Sequence, residues 1–536
     1  MFDLLIKGGL VVDGTGKPGY LANVAVNRGK VAAVERSLTV DIPAATVLDA
    51  AEMVVAPGFI DIHSHTDRTI IRHPGAGSSL LQGITTEISG NCGGSVAPLN
   101  ERSIEIFKRF SGGTGTSEPP WRRFGEFLEH LETLRPGTNQ GLFVGQGTVR
   151  ACVMGQEKRY PSEDELAQMK GLVRQALEEG AFGISTGRAY VPGCYGSFRE
   201  IVELCRVAGE YDGLHTSHIQ DQWSKVHWAV KEIADITARA QVRGQVAHLK
   251  VVGKDNWGRA GEILSLLEEV RSRGLDVMAD VYPYPYSQVI LLKDLLPREL
   301  SKMGPEELKK TLSAPGAVEG LRKAFEEESG YTASRLEGMG IIHCSRTRRF
   351  EGMDVGEVAL ALGTDVFTAV VKILLENDME VKTAGIMSET DVREIVAHPL
   401  VMFGTDALTG DPREDASRGY SDLHPRHYGT YPRVLGKYVR KERVLSLEEA
   451  VRKMTSVPAE RLNILDRGLI RRGYWADIVV FDPRTVEDRA DLRNPAAPPA
   501  GIKYVLVNGE IAVNESGLTG ARSGKVLRAA HHRMLY

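Results

Sequence analysis

The chain of 536 residues is long enough for one large domain and a smaller one, and its 42% hydrophobic and 25% charged residues are typical of a globular protein. A net charge of -4 provides no strong positive field, so neither nucleic acid nor a membrane surface is expected as a partner. The five cysteines are odd in number and irregularly spaced, which argues against a disulfide framework. No apolar run approaches about eighteen residues and the N-terminus lacks a signal-peptide pattern, so we expect a cytoplasmic protein.

The two ends of the chain carry similar strand patterns. Residues 1–56 alternate short apolar runs with glycine turns, as in DLLIKGGLVVDG and ANVAVNRGKVAAVE. Residues 470–536 contain ADIVVFDP and YVLVNGEIAV, and the Asn508-Gly509 pair of the second run is a strong hairpin signal. We therefore predict that both ends pair into one small β-sandwich domain, with a large domain inserted between them.

The large domain, predicted at 57–469, alternates apolar strand-like runs with helical patterns. One helix is signalled by the capping box of Ser162 and Glu165, followed by apolar residues at a spacing near 3.6 until Gly180. The predicted strands cover 54–62, 84–88, 142–145, 182–185, 214–218, 245–249, 276–281 and 400–405. Eight strands alternating with helices predict a (β/α)8 barrel of the TIM type. The charged, proline-containing stretch at about 285–343 exceeds a normal connection and predicts an inserted subdomain after strand seven.

The first two strands of this barrel end in residues that bind metals. Catalytic groups of such barrels gather at the carboxyl ends of the strands. His63 and His65 end strand one and are predicted on the same face, because successive strand side chains alternate. Cys92 follows strand two in a glycine-rich turn. Two adjacent imidazoles at the end of a buried strand are hard to satisfy without a metal ion or acidic partners.

Strands five to eight end in further donors. Strand five provides His218, strand six provides His248 and, two residues on and predicted on the same face, Lys250, and strand eight provides Asp406. Strand seven provides Asp280 and Tyr282, where Asp280 is either a ligand or a group that orients one. Four histidines, one cysteine and one aspartate form a ligand set for one or two divalent metals, and imidazole with thiolate favours zinc.

Several motifs extend this pattern: GFIDIHSHTD, ISGNCGGSVAP, GISTGRAY, HLKVVG, DVYPY, HPRHYGTYPRVLGKYVR, MTSVPAERL, and ADIVVFDP with YVLVNGE. With them the chain resembles the amidohydrolase superfamily, and within it the N-acyl-D-amino-acid deacylases (D-aminoacylases), over essentially its whole length. The resemblance implies zinc-dependent hydrolysis of the amide bond of an N-acyl-D-amino acid. GNCGGSVAP and HPRHYGTYPRVLG belong to that subgroup, whereas the HxH motif and the C-terminal motifs are shared across the superfamily.

The resemblance also implies roles for individual residues. Cys92, His218 and His248 would hold one tightly bound zinc ion. His63, His65 and Asp406 would form a second, weaker site, with Asp406 as the catalytic group that takes a proton from water and returns it to the leaving amine. The carboxylate of a small-molecule substrate would be bound by three further residues, Lys250, Tyr282 and Arg426.

Some alternatives stay open. Many binuclear amidohydrolases bridge their metals with a carboxylated lysine from strand four, but FGISTGRAY has none there. The Cys92 thiolate is the available bridging anion, which disfavours a hydantoinase- or dihydroorotase-like enzyme for cyclic amides. Cys92 also counts against a deaminase, and the complete donor set counts against a non-catalytic barrel. Gln220 and Gln222 stand where family members commonly carry Arg and Glu, so a dipeptide-like substrate is left open. A homo-oligomer is also left open.

Overall fold

The computed structural model describes residues 1–104, 107–108, 119–327, 336–417 and 423–530. The strands are β1 (Phe2–Val11), β2 (Tyr20–Asn27), β3 (Lys30–Glu35), β4 (Ala44–Asp49), β5 (Val54–Pro57), β6 (Phe59–Asp61), β7 (Ile84–Ser89), β8 (Asn139–Leu142), β9 (Val144–Gly145), β10 (Gly183–Gly187), β11 (Leu214–His218), β12 (Arg243–Val246), β13 (Val277–Val281), β14 (Ile290–Leu291), β15 (Met339–Cys344), β16 (Val381–Gly385), β17 (Val401–Phe403), β18 (Ile478–Phe481), β19 (Ile502–Val507), β20 (Glu510–Asn514) and β21 (Gly517–Leu518). The α-helices are α1 (Gly77–Leu80), α2 (Phe124–Leu134), α3 (Gln146–Met154), α4 (Glu163–Glu178), α5 (Phe198–Gly209), α6 (Val226–Ala240), α7 (Ala260–Ser272), α8 (Arg298–Ser301), α9 (Pro305–Leu312), α10 (Ala317–Glu327), α11 (Val355–Leu362), α12 (Val366–Glu376), α13 (Glu389–Ala397), α14 (Pro412–Ser417), α15 (Arg426–Arg433), α16 (Leu447–Met454) and α17 (Ser456–Arg461). A π-helix, Val434–Lys441, continues α15.

The two ends of the chain form one β domain, as predicted. Its nine strands, β1–β5 and β18–β21, are joined by hydrogen bonds into one continuous sheet. The ends meet where β18 runs antiparallel to β5, with Val479 opposite Ala56. The run predicted as barrel strand one divides at Gly58, because β5 joins this sheet and only β6 enters the barrel.

The barrel has its eight strands at the predicted places. Parallel ladders join β6, β7 and β8, and a second set joins β9, β10, β11, β12, β13 and β17. The third strand is divided between β8 and β9, and Phe143 links it to strand two through a hydrogen bond to the Ser89 carbonyl of 2.9 Å. The Asp406 amide donates to the His63 carbonyl at 2.7 Å, which connects the last strand to the first. The (β/α)8 prediction is therefore confirmed.

The inserted subdomain follows β13. It contains a three-stranded antiparallel sheet of β14, β16 and β15 and the helices α8 to α12. A separate apolar cluster between Leu292 and Val381 forms its core. Sheet and core extend well beyond the predicted end near 343, so we propose that the insertion spans 285–387. Within the described ranges no single helix is long and apolar enough to cross a membrane; α11 and α12 pass that test only as a pair bent by 95°.

The last described residues leave the β domain and pack on the barrel. Val526 forms a parallel bridge with Gln140 of β8, and the Leu527 amide donates to the Gln140 carbonyl at 2.7 Å. Residues 524–529 therefore lie beside the amino-terminal end of barrel strand three rather than in the β domain predicted for 470–536.

Candidate metal centre

Three of the predicted donors, Cys92, His248 and Asp406, lie just past the carboxyl ends of their strands in loops with unusual backbone geometry, whereas His218 is the last residue of β11. Cys92, His248 and Asp406 have φ values of 56°, 36° and 51°, a region that L-residues rarely adopt. Such a conformation costs roughly 1–3 kcal/mol and is concentrated at functional sites. Strand β12 ends at Val246, so the strand alternation by which we placed His248 and Lys250 on one face does not apply there. The loop conformation, not the pleat, directs these side chains.

The Cys92 sulfur lies at the centre of the histidines. Its Sγ is 3.5 Å from His63 Nε2, 3.4 Å from His248 Nε2 and 3.7 Å from His218 Nδ1. The two imidazoles of His218 and His248 approach each other to 2.8 Å between Nδ1 and Nε2. Four nitrogen and sulfur donors therefore converge on one point.

Asp406 joins this cluster from the end of strand eight. Its Oδ1 lies 3.1 Å from His65 Nε2 and 3.5 Å from His63 Nε2. Ligand atoms of His63, Cys92, His248 and Asp406 all lie within 4.8 Å of one another. Together with His65 and His218, all six predicted donors are thus brought to one mouth of the barrel.

The electrostatics keep four of these six donors, His65, His218, His248 and Asp406, in the forms that bind metal ions. Burial lowers the pKa of His65 and of His218 to about 3, and it holds that of His248 well below its usual value. Burial alone would raise the pKa of Asp406, but the Arg426 guanidinium and the neighbouring imidazoles hold it well below its usual range. Neutral imidazoles, a carboxylate and a cysteine sulfur are the ligand set that zinc favours, so the residues present fit zinc.

Asp280 lies behind the cluster and orients His63. Its Oδ1 is 3.1 Å from His63 Nδ1 and accepts the His248 amide at 2.8 Å, while Oδ2 accepts from Gln245 at 2.6 Å. This contact directs His63 Nε2 toward Cys92. Burial opposes protonation of His63, but the Asp280 carboxylate and Cys92 raise its pKa well above the usual value. Of the two alternatives left open for Asp280, the geometry favours the orienting group.

Two residues that contact the histidines were not predicted as site residues. The Gln222 amide lies 3.0 Å from His248 Nδ1 and fixes that ring from behind. The Tyr190 hydroxyl lies 3.2 Å from His218 Nδ1, and the two rings are 4.5 Å apart. Tyr190 belongs to the GISTGRAY motif, three residues past the end of β10. A tyrosine shortly after a predicted strand end was the sequence signal that could have identified this residue.

The glycine at the end of strand four explains why no lysine stands there. A Cβ placed on Gly187 would lie 2.1 Å from the Cys92 carbonyl oxygen. The Cys92 turn therefore packs directly against the backbone of β10. This close approach leaves no space for a side chain at Gly187.

The three residues expected to bind a carboxylate lie together beside the cluster. The Tyr282 ring has the Lys250 ammonium 4.6 Å and the Arg426 guanidinium 4.7 Å from its centroid. Arg426 donates to Asp406 Oδ2 at 2.7 Å and to Gln288 Oε1 at 2.6 Å. The Tyr282 hydroxyl is buried and has no hydrogen-bond partner among the described residues. A buried hydroxyl without a partner is costly, so this group is poised to bind a ligand.

Two cavities open from the cluster, and Tyr190, Val191, Gln288 and Asp406 line both. We call the first, of about 330 Å³, the Phe107 cavity; it is lined by Val96, Leu99, Phe107, Ala151, Pro192 and Leu408 together with His65 and Cys92. We call the second, of about 560 Å³, the Trp223 cavity; it lies under the inserted subdomain and is lined by Trp223, Val252, Ile290, Leu295, Phe325 and Met339 together with His218, His248 and Lys250.

Comparisons with known proteins agree with this geometry. The sequence profile of the amidohydrolase family matches residues 46–265 and 311–513. The chain is 34% identical over 534 residues to a D-aminoacylase of Alcaligenes xylosoxydans xylosoxydans, covering 98% of this chain and 97% of that one. A solved structure of a D-aminoacylase with a binuclear metal centre superposes with a TM-score of 0.77 at 33% identity, covering 98% of this chain and all of the other. The same scores and coverage hold for an N-acyl-D-glutamate deacylase of Bordetella bronchiseptica, solved with zinc and a phosphonate that mimics the tetrahedral intermediate of the reaction. The chain therefore belongs to the amidohydrolase family, in the group of the D-aminoacylases.

Proposed function

We propose that the protein is a zinc-dependent deacylase that hydrolyses the amide bond of an N-acyl-D-amino acid and releases a carboxylate and a free amino acid. One observation carries the proposal: the six-residue cluster centred on Cys92 lies directly beside two cations and a buried hydroxyl that has no hydrogen-bond partner among the described residues. The cluster is suited to catalysing hydrolysis, and the two cations and the hydroxyl are suited to binding the α-carboxylate of the substrate. The D configuration is that of the substrates for which the relatives are named.

Cys92, His218 and His248 would hold a tightly bound zinc ion, and His63, His65 and Asp406 a second, weaker one. Bound zinc supplies a Lewis acid for the scissile carbonyl and lowers the pKa of water to roughly 7. Asp406, kept ionised by Arg426, would accept the proton of the attacking water. It would return that proton to the leaving nitrogen, because an amide anion is a poor leaving group.

The carboxylate would be anchored by Lys250, Tyr282 and Arg426. A guanidinium with two donors facing one way suits a planar carboxylate, and the ammonium adds a second positive charge. Gln288 holds the second terminal nitrogen of Arg426 and so fixes the plane of the guanidinium. This anchor would fix the α-carbon and present the amide carbonyl to the cluster.

A linear amide fits these features better than a cyclic one. Gly187 packs against the backbone of the Cys92 turn, so strand four cannot supply the bridging lysine of hydantoinase-like enzymes. Two cavities diverge from the cluster, which suits a substrate with one group on each side of its amide. A cytoplasmic location remains part of the proposal on the grounds of composition.

The test is a substrate panel with the zinc-loaded protein. N-acetyl-D- and N-acetyl-L-methionine, a hydantoin, dihydroorotate and a D-methionine dipeptide would be compared by chromatographic detection of the products. We expect release of free D-methionine from the N-acetyl compound at the highest kcat/KM. Faster opening of the hydantoin or dihydroorotate, or faster release from the L isomer, would contradict the proposal.

A second test is the variant Arg426→Lys, which keeps the positive charge and removes the planar guanidinium. It should raise KM for the N-acyl amino acid while metal content stays the same. An unchanged KM would exclude Arg426 from the carboxylate anchor.

A further inference from the structure

The apolar part of the Phe107 cavity has no role in the proposed metal binding, proton transfer or carboxylate binding. Its side of the cluster carries Cys92, His65 and Arg426, whereas Lys250 lines only the Trp223 cavity together with His218 and His248. An amide substrate has two arms, the acyl group on its carbonyl carbon and the amino acid on its nitrogen. With the carboxylate held between Arg426, which lines the Phe107 cavity, and Lys250, which lines the Trp223 cavity, the side chain of the amino acid would extend past Lys250 into the Trp223 cavity, and the acyl arm would point the other way.

We propose that the Phe107 cavity binds the acyl group and that this enzyme prefers N-acyl-D-amino acids with a long aliphatic or an aromatic acyl group over N-acetyl ones. The inference rests on the proposed deacylase function and specifies its substrate class. A methyl group would fill only a small part of about 330 Å³. A longer acyl chain would replace the water there and bury apolar surface.

The wall of this cavity is apolar where an acyl chain would run. Three of its hydroxyl-bearing residues point their donors into the protein: Ser95 donates to the Ala97 carbonyl at 2.5 Å, Ser103 to the Asn100 carbonyl at 3.2 Å and Thr148 to the Ser95 carbonyl at 3.0 Å. Away from the polar residues that border the cluster, the wall offers methyl, methylene and aromatic surface from residues such as Val96 and Phe107. Such a wall gains from apolar groups and offers little to polar ones.

Charged wall residues lie close to the cluster. Arg426 and Asp406 belong to the site itself and bond to each other at 2.7 Å. Arg68 is the remaining charged wall residue within the described ranges, and it lies just past His65. An acyl group that ends in a carboxylate is the competing ligand that Arg68 would favour, so a succinyl substrate is included in the test.

The test is an acyl series on one amino acid: acetyl, butyryl, hexanoyl, octanoyl, phenylacetyl and succinyl D-methionine with the zinc-loaded protein. Full burial of each added methylene is worth roughly fourfold in kcat/KM, so hexanoyl should exceed acetyl by tenfold or more. A maximum at acetyl or at succinyl would overturn the inference. Hydrolysis of none of these amides would instead refute the deacylase function itself.

Two variants then locate the acyl group. Ala151→Leu adds side-chain volume to the Phe107 cavity and should lower the hexanoyl-to-acetyl ratio of kcat/KM by at least tenfold. Its matched control, Ile290→Phe, adds volume to the Trp223 cavity from a half-buried position and should leave that ratio unchanged. The opposite pattern would place the acyl group in the Trp223 cavity and overturn the inference. If Ala151→Leu does not fold, Leu408→Trp at the 37% exposed rim replaces it.

Discussion

Tyr282→Phe tests the carboxylate anchor with two independent readouts. The substitution removes one hydroxyl, which is buried and has no partner in the described structure, and leaves the ring between Lys250 and Arg426. A hydrogen bond to a charged group contributes about 1.5–3 kcal/mol, so its loss should lower kcat/KM by roughly 10- to 150-fold. In the substrate-free protein the same change removes an unpaired buried polar group, so stability should stay the same or rise by up to about 1 kcal/mol.

The assay pairs steady-state kinetics on N-acetyl-D-methionine with urea unfolding of the metal-loaded, substrate-free protein. Tyr438→Phe is the matched control, because its buried hydroxyl already donates to Glu389 Oε1 at 2.9 Å. That control should lose about 1–3 kcal/mol of stability and keep its kinetics. If Tyr282→Phe loses stability and keeps its kcat/KM, the hydroxyl is structural and the anchor is wrong.

Three further predictions concern the supporting structure. Gln222→Ala should weaken zinc affinity by roughly 10- to 100-fold, measured by competition with a chelator, because the amide fixes a histidine ring of the cluster; an unchanged affinity would contradict this role. Gly187→Ala should displace the Cys92 turn and reduce the amount of bound zinc. The control Gly171→Ala lies on a helix with no atom within 4 Å of the new Cβ, so it should keep its zinc and gain about 0.5–1 kcal/mol of stability. Equal zinc content in both variants would refute the packing argument. Burial lowers the pKa of Lys453 to about 7, so above that pH the unfolded chain binds more protons than the folded one. The free energy of unfolding should therefore rise from about pH 7 to about pH 9 by up to roughly 1.4 kcal/mol per pH unit. Lys453→Met should flatten this slope in urea unfolding, and an equal slope in the variant would contradict the assignment.

The sequence was sufficient to predict the barrel, because the same pattern, an apolar run bounded by turn residues, recurs at each of its strands. Apolar runs bounded by turns located all eight strands, and the strand ends located the six donors. The boundary at Gly58 was less accessible, since 54–62 is one apolar run. Only pairing with β18 shows that its first half belongs to another sheet.

What the sequence could not provide lies in the loops. His248 reaches the cluster through a φ of 36°, which no periodicity predicts. Tyr190 and Gln222 contact their histidines from irregular segments. In such segments the direction of a side chain cannot be predicted from its position in the sequence, because there is no periodicity. The longer insertion that we propose, 285–387, was not accessible from the sequence either, because its last strand, β16, pairs with β15 about 40 residues and with β14 about 90 residues earlier in the chain.

The measurement that most directly tests the central claim is zinc content by elemental analysis of protein purified without added metal, for the wild type and Cys92→Ala. Cys152→Ala is the control, a buried cysteine whose thiol donates to the Pro98 carbonyl at 3.3 Å, outside the donor cluster. We expect at least one tightly held zinc ion per chain in the wild type and in Cys152→Ala, and its loss in Cys92→Ala. Full zinc content in Cys92→Ala would contradict a site centred on this thiolate.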